Sequence, residues 1–338
     1  MPGPRATNAE EPGLLKCLAV VVSYNSCHEL PACLQSLLAQ RDVSIELWVV
    51  DNASRDTSAA LVRERFPQAR LLVNVHNVGF ARANNQVLEQ TDAPYYALVN
   101  PDTVLPPEAV ATCVAYLESH PHAGIVGTPL VSPEGQLQPS CQAFLGLRSL
   151  FEETFYLDRL SRDPSRPRLR GTTRVTVEPT EADWLAGAFL VVRGEVVRQV
   201  GGFDPDFFMY AEEMDWCFRA RRAGWKVVYL PAPEVVHVGG ASSRPIAGPM
   251  FVENLKGRLR FLQKHRGPLA VFLARGLLAA SVLLRHAAGV ARLALLRLLG
   301  RSPTDAFLFQ LTRFRAARGW VLRGLPLSPP EIEGASTG

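Results

Sequence analysis

The chain has no C-x-x-C pair: its six cysteines, Cys17, Cys27, Cys33, Cys113, Cys141 and Cys217, lie far apart and mostly within apolar runs. That dispersion argues against a structural zinc site or a disulfide framework and fits a reducing cytoplasm. No G-x-G-x-x-G follows the first apolar run and no G-x-x-x-x-G-K-[ST] occurs, so neither a Rossmann dinucleotide site nor a P-loop is encoded. Any nucleotide phosphate must be handled otherwise. Met1 to Pro12 is polar, with no apolar stretch before Lys16, which predicts no signal peptide. No uncharged apolar run reaches the roughly 20 residues that cross a bilayer, which predicts no transmembrane helix. Acids are almost missing from the tail, where residues 268 to 323 hold nine Arg and only Asp305, a local +8 inside a chain of net charge +4. The basic character therefore belongs to the tail. What the chain does have is 47% hydrophobic residues in a length of 338, enough for one large α/β domain with or without an appendage.

From Cys17 the chain alternates short β-branched runs with helical spacing. Cys17 to Ser23, Ile45 to Val50, Leu71 to Val75, Tyr95 to Val99 and Gly124 to Gly127 read as buried parallel strands. The segments 29–40, 57–66, 80–90 and 107–119 between them read as helices. This βαβα order predicts a doubly wound, mainly parallel open sheet flanked by helices. Ligands of such sheets sit at the carboxyl ends of the strands. The polar clusters fall there: Ser23-Tyr24-Asn25, Asp51-Asn52-Ala53-Ser54, His76-Asn77-Val78-Gly79 and Asn100-Pro101-Asp102. A Pro- and Arg-rich stretch, Ser161 to Gly171, reads as a mobile loop. Ala186 to Val192, Lys226 to Tyr229 and Val235 to His237 read as further strands.

Between those later strands lies the densest charge of the chain, Glu212, Glu213 and Asp215, opening a helix over 211–223 that ends at Gly224. Acids at a helix N-terminus are stabilised by free N–H groups and the macrodipole, so capping explains part of the cluster. Phe203, Phe207, Phe208, Tyr210 and Trp216 add an apolar wall, in which a carboxylate gains basicity and becomes a candidate general base. Asp215 and Arg219, at i and i+4, form a helix-surface pair. Glu212 and Glu213 are about 100° apart, so one faces the cleft while the other braces.

The other candidates carry two readings each. Asp102 is placed to hold a hard divalent cation on a diphosphate, or caps a turn. Asp51 accepts from a base ring or a ribose hydroxyl, or caps the helix near Thr57. Asn77-Val-Gly79-Phe-Ala-Arg82 offers an amide, a glycine for close backbone approach and a cation beside the same cleft. His237 completes a metal shell with Asp102, or is a structural histidine. Trp184, Gly187 and Ala188 line an acceptor pocket, or Trp184 is core. In the tail, Arg275, Arg285, His286, Arg292 and Arg297 share one arc of a helix, which describes an Arg-faced amphipathic helix lying on anionic lipid; core packing and a dimer contact are the alternatives. Nucleic acid is not expected, because no DNA or RNA module accompanies the charge.

Taken in order, Val20-Val-Val-Ser-Tyr24-Asn25, Val49-Val-Asp51-Asn52-Ala53-Ser54, Asn77-Val-Gly79-Phe80-Ala81, Asn100-Pro101-Asp102 and Gly201-Gly-Phe-Asp204 through Glu212-Glu213-Met-Asp215 resemble a family 2 glycosyltransferase of the GT-A fold, over about residues 16 to 245. Within that family the likeness is to bacterial rhamnosyltransferase-like enzymes, which also carry Asn-Pro-Asp. The resemblance implies an inverting transfer of a sugar, rhamnose first, from a nucleoside-diphosphate donor to a glycolipid or polysaccharide precursor. It implies that Ser23, Tyr24, Asn25, Asp51, Asn77, Gly79, Arg82, Asn100 and Asp102 border the nucleotide-sugar. Asp102 and His237 would hold Mg2+ or Mn2+, and Glu213, where the family usually has aspartate, would be the base beside Glu212. Asn100 replaces the first acid of an Asp-x-Asp pattern. The expected organisation is a flexible N-terminus at 1–15, the GT-A domain at 16–250, a helical tail at 251–324 and a disordered end at 325–338. The expected location is the cytoplasm, peripheral on the inner face of the plasma membrane. The rival enzyme class, a nucleotidyltransferase, opens with a Gly-rich basic loop after the first strand, which Ser23-Tyr24-Asn25-Ser26 is not. A catalytically silent protein of the same fold would have no need of Asp102 and Glu213.

Overall fold

A computed structural model describes residues 15–155, 177–239 and 247–327. The segments 1–14 and 328–338, the loop at Ser161 to Gly171, and Gly240 to Ser243 lie outside the described residues. The first half alternates as its periodicity predicts: β1 (Leu15–Ser23), α1 (Leu30–Leu38), β2 (Val43–Asp51), α2 (Ser58–Arg65), β3 (Arg70–Val73), α3 (Phe80–Leu88) and β4 (Tyr95–Val99). There follow β5 (Thr103–Val104), α4 (Ala109–Ser119), β6 (Ala123–Gly127), β7 (Leu130–Val131), β8 (Leu137–Gln138), β9 (Cys141–Gln142) and α5 (Leu147–Thr154). The remainder is β10 (Thr180–Glu181), β11 (Trp184–Leu185), β12 (Phe189–Arg193), α6 (Gly194–Val200), α7 (Glu212–Arg222), β13 (Lys226–Tyr229), β14 (Val235–His237), α8 (Ala247–Leu298) and α9 (Asp305–Leu322).

The main sheet runs β10-β13-β6-β12-β4-β1-β2-β3. Strands β4, β1, β2 and β3 are mutually parallel, and their side chains are buried on both faces through β1 and β4, as a helix-covered parallel sheet requires. Strand β6, at Gly124 to Gly127, is buried, keeps the direction of these strands and pairs in parallel with β13, but it does not lie beside β4. β12 inserts between β4 and β6 and runs antiparallel to both. Because β12 starts opposite Val99, the residues just before it, Gly187 and Ala188, arrive at the carboxyl end of β4. That reversal places them beside the Asn100-Pro101-Asp102 turn. A small second sheet, β5-β14-β7-β8, closes over this end and pairs His237 with Thr103.

Two apolar clusters fill the faces of the main sheet, and a third joins α5, α7, α8 and α9 around Leu150, Phe207, Met214, Leu255, Phe261 and Trp320. The packed core thus continues past residue 250, with the first part of α8 against α7. Helix α8 breaks at Gly267, which adopts φ 81° and ψ 172°, directly before Pro268, whose missing N–H cannot continue the ladder. Beyond the break Arg285 and Arg292 meet partners within the protein, while Arg292 and Arg297 remain exposed. Arg285 Nη2 donates to the Glu153 carbonyl at 2.6 Å, and the Arg292 guanidinium sits 5.0 Å over the Phe307 ring. Leu269, Phe272, Leu284, Leu295 and Leu298 are left exposed. By length and composition α8 is apolar enough to cross a membrane, against the expectation that no segment would be, and only 22% of its most apolar stretch is buried. Single arginines interrupt every uncharged run without making the stretch polar on average.

Candidate functional site

The N-P-D turn is fixed from below by β12. Asn100 N–H donates to the Ala188 carbonyl at 2.9 Å, and Thr103 Oγ1 donates to the same oxygen at 3.4 Å. Asp102 is 8% exposed at this corner. The β5–β14 pairing brings His237 alongside, with Nε2 3.4 Å from Asp102 Oδ1. Gln138 decides the imidazole's tautomer. Its Nε2 donates to the His237 carbonyl at 2.6 Å, so its Oε1 must accept from Nδ1–H at 2.7 Å. In that tautomer a neutral ring would aim its Nε2 lone pair at the carboxylate. Two electron-rich atoms this close call for a proton or a cation between them, and a buried imidazole–carboxylate pair with an orienting amide behind it suits Mn2+ or Mg2+. Among the described residues no group of three or more His, Cys, Asp or Glu side chains gathers. The remaining coordination would fall to phosphate oxygens and water, as hard divalent cations commonly accept.

Helix α7 begins after two left-handed residues that are not glycine, Tyr210 (φ 70°) and Ala211 (φ 71°). Each such residue costs about 1–3 kcal/mol and persists only when its surroundings over-determine it. Here Gly257 of α8 does so, since a β-carbon there would fall on the Tyr210 carbonyl oxygen, while Ala211 and Met214 pack with Leu255 and Leu259. The strained turn aims Glu213 at Gly187, whose β-carbon, were there one, would lie 3.7 Å from Glu213 Oε1. Burial raises the Glu213 carboxyl, while the backbone N–H groups of Gly187 and Ala211 favour its charged form. Glu212 is held well above the ordinary range, by burial first and then by the neighbouring Glu213 charge. Both Oε2 atoms are buried without a hydrogen-bond partner. Both carboxyls are thus raised by the same burial, and Glu213 is the one beside the Gly187 and Ala211 N–H groups.

Asp215 is fully buried and accepts from Arg219 Nε at 2.7 Å, the i, i+4 pair read in the sequence. It also meets His265 Nε2 at 2.7 Å and Lys264 Nζ at 2.9 Å, and Lys264 bonds Asp204 at 2.6 Å. That network ties α8 to α7. Burial lowers the His265 imidazole despite the adjacent carboxylate. Gly224, with φ 96°, follows α7 in the left-handed conformation expected after a helix end.

The carboxyl ends of β1, β2 and β3 form the third wall. Asp51 does not cap α2: its Oδ1 accepts Ser54 N–H at 3.0 Å, and Asp56 instead takes the Ser58 N–H at 2.9 Å. Asp51 Oδ2 is buried without a partner, an acceptor awaiting a donor. Asn52 Nδ2 donates to Asn77 Oδ1 at 2.8 Å, and Asn52 Oδ1 accepts from Asn74 and Val78 N–H at 3.0 Å each. Gly79 permits a close approach as expected, but to the protein itself: a β-carbon would stand 2.5 Å from the Phe208 carbonyl oxygen, which also accepts Phe80 N–H at 2.8 Å. This contact joins the post-β3 loop to the loop before α7. Ser23 is buried with its Oγ 3.0 Å from Ser26 Oγ, and Asn25 Oδ1 accepts Arg55 N–H at 2.7 Å, so both knit the loops together. Tyr24 is half-buried between them; Arg82 is exposed, its Nε donating to the Pro205 carbonyl at 3.0 Å. Trp184 is half-buried and donates to the Ala143 carbonyl at 3.0 Å.

Four participants have roles that no local pattern in the sequence shows: Gln138, Asn52 as a hub, Gly257, and the Lys264-His265 pair. Each acts on a partner remote along the chain. Only Asn52, inside an Asp-Asn strand end, lay within a segment already marked as polar.

The arrangement is that of a nucleotide-sugar transferase of the GT-A class. Among solved structures the chain superposes on the mannosyltransferase PcManGT from Pyrobaculum calidifontis in complex with GDP-Man and Mn2+, with a TM-score of 0.53, 18% identity, and coverage of 92% of this chain and 88% of that one. GalNAc-T7 with UDP, GalNAc and Mn2+ gives a TM-score of 0.53 at 16% identity, covering 75% of this chain and 48% of that one. These likenesses give the GT-A fold. The model of glycosyl transferase family 2 matches residues 18–160, and that of glycosyl transferase family group 2 matches residues 97–310. The chain is 30% identical over 231 residues to an N-acetylglucosaminyl-diphospho-decaprenol L-rhamnosyltransferase of Mycobacterium tuberculosis, covering 64% of this chain and 74% of that protein. It is 27% identical over 195 residues to rhamnosyltransferase WbbL of Escherichia coli, covering 56% of this chain and 71% of that protein. The chain belongs to glycosyltransferase family 2 and is a rhamnosyltransferase-like enzyme.

Proposed function

We propose that the protein is an inverting glycosyltransferase that moves a sugar, rhamnose first, from a nucleoside diphosphate to a hydroxyl of a lipid-linked glycan or polysaccharide precursor. The supporting observation is the Gly187-Ala188 turn. Gly187 touches Glu213 while the Ala188 carbonyl holds Asn100, so the acid helix and the N-P-D corner face one space. Glu213 takes the proton from the acceptor hydroxyl, whose oxygen forms the new bond to the anomeric carbon as the bond to the diphosphate breaks. Glu212, protonated beside it, keeps the pair from carrying two charges. Asp102 and His237 Nε2 are the residues that would hold a divalent cation, which when bound neutralises charge on the departing diphosphate. Asp51 Oδ2 accepts from the nucleoside. Rhamnose is taken from the names of both relatives, and an acceptor carried on a lipid from that of the Mycobacterium tuberculosis protein.

The exposed apolar side of α8 beyond Gly267, with basic α9 against it, supports attachment to the cytoplasmic face of an anionic membrane, where a lipid-linked acceptor would be met. The test is transfer. Purified protein is offered a panel of nucleoside-diphosphate sugars and a lipid-linked acceptor, with and without Mn2+. Turnover of a rhamnosyl donor that disappears on chelation and in Asp102→Asn, with nucleoside binding retained, supports the reading. Nucleotide binding with no turnover of any sugar sinks it.

A further inference from the structure

Between α5 and α8, just past the Gly267 break, lies an open groove of about 850 Å³ lined by Leu147, Phe151, Leu273 and Leu277 together with Arg148 and Arg275. We propose that this groove holds the first part of a single isoprenoid chain whose phosphate is met by Arg275 and Arg148. The inference rests on the acceptor class proposed above and adds where its lipid is held.

Size, charge and continuity carry it. The groove falls in the roughly 300–1,000 Å³ range of sites that hold one small molecule, which suits one chain and not a bilayer face. Its walls are apolar, and one polar atom there has no hydrogen-bond partner among the described residues: Arg275 Nε is buried and unpaired, whereas its neighbour Arg285 is turned onto the Glu153 carbonyl. Among the described residues Arg148 pairs only with Glu152, an i, i+4 partner, and its side chain is 73% exposed, able to swing toward an anion. An amphiphile with a chain and an anionic head satisfies both features; an apolar peptide or an uncharged alkane satisfies only one. The groove also opens from the apolar cluster that supports the base. Leu147 and Leu277 pack against the cluster that runs through Phe144 and Trp184 to Ala211 and Met214, which flank Glu212 and Glu213.

The experiment measures binding by the full chain of geranylgeranyl phosphate, geranylgeraniol and inorganic diphosphate, followed by native mass spectrometry and tryptophan fluorescence. The expected result is that the prenyl phosphate binds more tightly than the alcohol or diphosphate. Leu273→Glu and Phe151→Glu, both at exposed positions, should each weaken it about tenfold, the loss of one buried apolar side chain. Arg275→Gln should bring the phosphate down to the alcohol's affinity. Binding of phosphatidylglycerol vesicles should survive in Leu273→Glu, since Leu284, Leu295 and Leu298 remain. Equal binding by both wall variants and the wild type overturns the proposal. So does parallel loss of vesicle and prenyl-phosphate binding, which assigns the face to the bilayer. Sugar transfer to a short-chain, water-soluble acceptor separates the two readings: if it persists while prenyl binding is unaffected by the wall variants, the groove falls and the transferase stands. Prenyl binding that obeys the variants in a protein that transfers no sugar gives the reverse.

Discussion

The Glu213 carboxylate lies 3.7 Å from the point at which Gly187 would carry a β-carbon. That spacing is ordinary contact for a methyl group and too little for a branched one. Gly187→Ala should keep near wild-type turnover, whereas Gly187→Val should lower kcat by about tenfold or more through a displaced base. Steady-state kinetics at saturating donor distinguish the two.

Glu213→Gln removes the proton acceptor and leaves the shape. A loss of about 10²–10⁴ in kcat is expected, with thermal stabilisation by nucleoside diphosphate unchanged. A variant with near-normal turnover would move the base elsewhere.

Both carboxyls of the glutamate pair are raised above the ordinary value of 4.5, chiefly by burial. Activity should therefore rise with pH along a limb displaced above that value, as Glu213 loses its proton. Stability should run the other way. A folded-state value above the unfolded one contributes stability that is full below pH 4.5 and is lost as pH rises through the folded value. Melting temperature against pH should fall over that window in the wild type and flatten in Glu212→Gln.

Gly257→Ala places a methyl group against the Tyr210 carbonyl and pushes the left-handed turn that aims α7. The expected cost is about 1–3 kcal/mol in denaturant unfolding, together with lower kcat. Full activity in a destabilised variant would detach the turn from catalysis.

Gln138→Leu frees the imidazole of His237 to choose its tautomer. The Mn2+ concentration for half-maximal activity should rise about 10–100-fold, with the rate at saturating Mn2+ less affected. An unchanged metal titration would remove His237 from the cation site.

The sequence alone determined β1 to β4 and their helices, the polar strand ends, and the acid-rich start of α7 with Gly224 behind it, because each is written in periodicity or capping over a few neighbouring residues. Five motifs in order were enough to indicate the family. Only the tertiary structure decided that β12 runs backwards between β4 and β6, and so delivers Gly187 and Ala188 to both the base and the N-P-D turn. It alone gave His237 its Gln138 partner across 99 residues, brought Gly79 against Phe208, and clamped the Tyr210-Ala211 turn with Gly257. Helical arcs likewise placed the tail arginines together but could not say that α5 and α9 would lie against them. Strand direction, close backbone approach and the partner of a buried charge depend on chain segments far apart, whose meeting is set by the packing of the whole core and leaves no mark in any local window.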